Sequence, residues 1–74
     1  MQPLELKSHP LTKFEKRICD LVLQGATNRE ISGELGVQYQ VVKNHLTLIY
    51  NKLRVRDRVQ LIVHYGKGKG RRLL

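Results

Sequence analysis

Cys19 is the only cysteine in this chain. No internal disulfide is possible, and no zinc site built on two or four cysteines can be assembled. A lone thiol also fits a reducing compartment better than secretion. Aromatic residues are scarce: three tyrosines and one phenylalanine, mostly set within apolar stripes, give no clear stacking platform of the kind RNA-binding modules use. No run approaches the ~18 apolar residues of a membrane span, and the N-terminus lacks the apolar segment of a secretory signal. Paired carboxylates, a phosphate-cradling glycine loop and a nucleophilic triad are all missing, which argues against an enzyme, a cofactor or a small-molecule ligand. His9, His45 and His64 are badly spaced for a metal site. The expectation is a soluble cytoplasmic protein with no membrane partner.

What is abundant is positive charge, and it is unevenly placed. The net charge is +8 over 74 residues. Residues 1–34 hold five basic residues (Lys7, Lys13, Lys16, Arg17, Arg29) against five acidic ones (Glu5, Glu15, Asp20, Glu30, Glu34). Residues 35–74 hold nine basic residues against Asp57 alone, so the whole excess lies there. A one-signed field on half of a small domain attracts polyanions and steers their approach. A single domain of this length buries only about 60% of its extended-chain surface, so its core must be compact.

Both prolines fall within residues 1–10, which reads as a flexible arm or linker. Thr12 and Glu15 then form a capping box that opens a first helix over about 12–24, with Phe14, Ile18, Leu21 and Val22 facing the core. Cys19 flanks that stripe as a small buried hydrophobe. Thr27 and Glu30 form a second box that opens a helix over 28–35, in which Ile31 and Leu35 share a face. Gly33 inside it costs ~1 kcal/mol against alanine, and close approach of a neighbouring helix would account for it. Gly36 can take the left-handed conformation that ends a helix abruptly. A third helix over 39–53 buries Val42, Leu46, Ile49 and Leu53, with His45 on its inner side. Asp57 caps a fourth over 58–65, with Gln60 completing the box. Val59, Ile62 and Val63 are expected to face the core, leaving Leu61 and Tyr65 on another face. Residues 66–74 read as a basic disordered tail. The fold class is all-α, a four-helix domain over residues 11–65 containing a helix-turn-helix.

The outer face of the third helix carries the functional signal. Gln40, Lys43, Asn44, Thr47 and Asn51 form one polar stripe without an acidic residue. Lysine suits guanine O6 and N7, and asparagine or glutamine suits adenine N6 and N7. Such a stripe, on a helix set by a tight turn against a shorter one, is the pattern of a helix-turn-helix. Gln40, Lys43, Asn44 and Thr47 are therefore the expected base-reading residues on double-stranded DNA. Thr27, Asn28 and Arg29 lie at a helix N-terminus, which favours phosphate. Lys52, Arg54, Arg56 and Arg58 are further phosphate candidates, with a fold-supporting ion pair as the alternative for Arg58.

The run from Leu11 to about Val63 resembles, without gaps, the LuxR/FixJ-type (GerE-like) DNA-binding domain of bacterial transcription regulators. Leu11, Thr12, Glu15, Gly25, Asn28, Glu30, Ile31, Leu35, Gly36, Val37, Val42, Lys43, His45, Lys52, Leu53, Val55 and Arg58 carry the match. The resemblance implies transcription regulation, often downstream of a sensory or phosphoacceptor module as in response regulators. It also implies a homodimer through the last helix, here by way of Leu61 and Tyr65, and makes RNA polymerase a further candidate partner. Gln38 departs from the usual serine cap, a weaker choice by about 1 kcal/mol. Val41 lacks the hydroxyl that often meets phosphate in the family. The rival readings are a sigma-factor region 4-like module and a small basic RNA-binding protein.

Overall fold

The computed structural model describes residues 11–68. Four helices follow in order: α1 (Lys13–Leu23), α2 (Asn28–Leu35), α3 (Tyr39–Leu53) and α4 (Arg58–Gly68). The expected arm at 1–10 lies outside the described residues, as does the tail beyond 68. Helix α4 runs three residues past its expected end and takes in Gly66, Lys67 and Gly68, so the chain is still helical where the tail was expected to begin.

Both threonine boxes form. Thr12 Oγ1 accepts from Glu15 N at 3.1 Å while Glu15 Oε1 accepts from Thr12 N at 2.9 Å. The same exchange joins Thr27 and Glu30 at 3.1 and 2.8 Å. At α4 the box is split: Asp57 caps Gln60 N at 2.9 Å, but the Gln60 side chain accepts from Arg56 N at 3.0 Å. Gln38 makes no side-chain cap bond at α3, so its amide does not take over the usual serine's work. Gly36 closes α2 with φ 69° and ψ 34°, a left-handed conformation that glycine enters without steric cost. That turn sets α3 across α2. Gly33 does not answer to helix packing: a Cβ built there meets nothing within 4 Å.

One core joins all four helices. Ile18, Cys19 and Val22 of α1 meet Ile31 of α2, Val42, Leu46 and Ile49 of α3, and Leu61 of α4. Burying such side chains is worth about 1.5–3 kcal/mol each, which explains how so small a domain holds without a disulfide. Burial pushes the Cys19 thiol up to about 12, with the nearby Asp20 and Glu15 carboxylates adding to the rise. It is a packing residue and not a nucleophile.

The facing of α4 corrects the expectation from sequence. Leu61 is fully buried, whereas Val59 and Val63 are 68% and 55% exposed and Ile62 is also on the surface. The helix carries two apolar stripes, and its rotation is set by polar anchors. Arg58 and Tyr65 share the Leu61 side: Arg58 donates to Ala26 O and Asn28 Oδ1, and the Tyr65 hydroxyl donates to Asp20 Oδ1 at 3.2 Å. Those bonds turn Leu61 inward and leave the valines outside. Leu61 cannot be a subunit contact, and Tyr65 is half-buried against the core.

Candidate nucleic-acid interface

Helix α3 needs a buried stripe to be held and an outer stripe to be useful. Val42, Leu46 and Ile49 supply the first. Gln40, Lys43, Asn44, Thr47 and Asn51 are all exposed on the other side. Two hydrogen bonds between residues one turn apart run along this face. Gln40 Nε2 donates to Asn44 Oδ1 at 3.0 Å, and Thr47 Oγ1 donates to Lys43 O at 3.3 Å. The amide pair uses one donor of Gln40 and the acceptor of Asn44, so the two side chains present a joined edge. All four expected base-reading residues thus lie together on one exposed face.

The phosphate candidates divide. Arg29, Arg54 and Arg56 are exposed. Arg54 sits at the end of α3 in a left-handed conformation, φ 58° and ψ 41°, and Val55 N donates back to Tyr50 O at 3.0 Å. The segment Arg54–Asp57 is thereby turned back from the helix axis. Lys52 and Arg58 are occupied elsewhere. Lys52 Nζ donates to Glu15 Oε1 at 2.8 Å, and Arg58 donates to Ala26 O and to Asn28 Oδ1, both at 2.7 Å. Arg58 supports the fold, as its alternative held, but through a carbonyl and an amide and not an acidic side chain. With Asn28 spent on Arg58 and the Thr27 hydroxyl spent on Glu30, what α2 offers an anion is its backbone. The N–H groups of Asn28 and Arg29 precede the first intrahelical bond, which runs from Ile31 N to Thr27 O at 2.8 Å.

Glu15 anchors the inner side. Its carboxylate is 3% exposed. Burial alone would raise its pKa, but the Lys52 ammonium together with the Thr12 N–H and hydroxyl outweighs this and holds it below the usual carboxylate range. His45 Nδ1 lies 3.9 Å from Glu15 Oε2, and its ring meets Phe14 edge-on at 4.9 Å between centroids. Among the described residues, no group of three or more His, Cys, Asp or Glu side chains is placed to hold a metal ion.

Sequence reasoning missed Tyr39. Its ring lies under two cations, the Arg29 guanidinium at 5.3 Å and the Lys43 ammonium at 5.7 Å from the centroid. Lys43 stands four residues on, within reach on one helix face, and that spacing was the available signal. The Arg29 contact crosses from α2 and leaves no local trace.

Comparison with known proteins agrees with this geometry. The family described as bacterial regulatory proteins, luxR family, matches residues 9–65. Three relatives come from Bacillus subtilis (strain 168). The transcriptional regulatory protein DesR is 36% identical over 70 residues, 95% of this chain and 35% of that protein. The transcriptional regulatory protein LiaR is 44% identical over 59 residues, 80% of this chain and 28% of that protein. The spore germination protein GerE is 38% identical over 64 residues, 85% of this chain and 86% of that protein. The chain therefore spans about a third of the two regulatory proteins and most of the length of the third. It belongs to the luxR family of bacterial regulatory proteins, DNA-binding regulators of transcription.

Proposed function

We propose that this domain reads double-stranded DNA sequence-specifically by laying α3 in the major groove. Lys43, Asn44 and Thr47, joined by Gln40, face base edges, while Arg29, Arg54 and Arg56 grip phosphates beside the N-terminus of α2. Asn28 and Arg29 take part through the free backbone N–H groups of that terminus, and Thr27 acts indirectly, by capping it through Glu30. Lys52 and Arg58 act indirectly, by fixing α3 on α1 and α4 on the start of α2. The observation that carries this reading is the acid-free polar face of α3, exposed on a helix whose other side is locked into the core.

Val59, Ile62 and Val63 give α4 an exposed apolar stripe, and we assign the homodimer contact to it in place of Leu61. A dimer of this kind reads two half-sites about one helical turn apart, ~34 Å. Its setting is the cytoplasm, and RNA polymerase is the further partner when it is bound at a promoter. Selection of bound duplexes from a random pool at stated salt, with structured RNA as competitor, tests the reading. A recovered motif with two-fold symmetry supports it. Recovery without sequence preference, or displacement by RNA at equal concentration, contradicts it.

A further inference from the structure

Tyr39 is the first residue of α3 and remains 42% exposed. A half-exposed aromatic at the entry of a recognition helix can fill the groove to the neighbouring helix, and a purely apolar side chain would do that as well. The ring of Tyr39 has more specific company. Lys43, one turn further along α3, places its ammonium 5.7 Å from the ring centroid, and Arg29 of α2 places its guanidinium at 5.3 Å. Both distances fall within the reach at which an aromatic face attracts a cation.

We propose that Tyr39 is a positioning residue for DNA recognition, whose ring holds Lys43 and Arg29 together so that one base contact and one phosphate contact are set before the duplex arrives. The inference rests on the DNA-reading role of α3 and names a residue outside the polar stripe on which that role depends. Lysine and arginine each carry long stems whose ordering costs free energy on binding. A ring that restrains both in the free protein removes part of that cost. Because Arg29 belongs to α2 and Lys43 to α3, the ring further couples the two helices of the motif at the point where both meet DNA.

The test compares Tyr39→Phe with Tyr39→Leu on a duplex recovered by selection and on a random duplex, across a salt series. Phenylalanine keeps the charged-ring attraction and leucine keeps only the apolar cover. The Phe variant is expected to bind within about twofold of wild type, and the Leu variant about 5- to 30-fold more weakly on the selected duplex. The salt slope of the Leu variant should fall by about one as the Arg29 contact loosens. Proton shifts read the same geometry without DNA. The Lys43 ε-methylene should be ring-shifted upfield in wild type and the Phe variant, and at its ordinary position in the Leu variant. Equal affinity and slope for Leu and wild type overturn the inference alone, as does a Phe variant that loses as much as Leu. A wild-type chain that does not discriminate between the two duplexes overturns the DNA reading and this inference with it. Matched thermal melting of the three proteins separates these losses from unfolding.

Discussion

Lys52 Nζ donates to Glu15 Oε1 across 37 residues of sequence at 2.8 Å, tying the end of α3 to the first turn of α1. The same carboxylate caps α1 through Thr12 N. One buried acid therefore fixes both where α1 begins and how α3 lies upon it. A basic residue that looked like a phosphate contact is part of the frame.

Stability should depend on pH through that acid. The folded-state pKa of Glu15 is depressed, so its contribution is complete above the unfolded value of about 4.3 and is lost as pH falls through the lower folded value. Glu15→Gln should cost about 2 kcal/mol at neutral pH. The thermal midpoint of the variant should also decline less than that of wild type as pH drops below about 4.3. Parallel pH profiles for the two proteins would rule the linkage out.

Arg58 makes a different prediction from its neighbour Arg56. Its two bonds to the start of α2 go through one planar guanidinium, which lysine cannot reproduce. Arg58→Lys should lower the urea midpoint by the equivalent of about 1–2 kcal/mol and leave the salt slope of DNA binding unchanged. Arg56→Ala should do the reverse, reducing the slope by about one with stability intact. A smaller slope for Arg58→Lys at full stability would return that residue to the phosphate contacts.

The two faces of α4 separate just as sharply. Val63→Glu adds a charge to an exposed position and should leave a folded protein that no longer self-associates in sedimentation velocity. Leu61→Ala opens the core and should cost about 2–5 kcal/mol. Self-association that survives Val63→Glu at full strength would remove this face from the interface.

Gly33 offers a stabilising change. A Cβ there meets no atom within 4 Å, and its helical position needs no left-handed backbone. Gly33→Ala should raise stability by about 0.5–1 kcal/mol in urea unfolding. A destabilised variant would reveal a contact of α2 that the packing does not display.

The helices were legible in the sequence wherever their signals are local. Thr12, Glu15, Thr27, Glu30 and Gly36 mark ends by bonds spanning three or four residues, and each stands as expected. The polar stripe of α3 was legible because a period of 3.6 places Gln40, Lys43, Asn44 and Thr47 together whatever surrounds them. What stayed hidden is long-range. On α4, Val59, Ile62 and Val63 make as good an apolar stripe as Leu61 and Tyr65, and the choice falls to Arg58 and Tyr65 reaching α1, α2 and the turn between them. Lys52 and Arg58 read as surface charges because their partners lie 37 and about 30 residues away. Gly33 and Gln38 obey no visible requirement of the fold, and the packing around them gives no reason for either.

The most direct measurement of the central claim is the affinity of Lys43→Ala for a selected duplex and for a random one, at the same salt. If the outer face of α3 tells base pairs apart, the variant loses about 1–3 kcal/mol on the selected duplex, loses far less on the random one, and relaxes preference at a single position. Equal losses on both duplexes would make Lys43 one more backbone charge and leave α3 without its reading role.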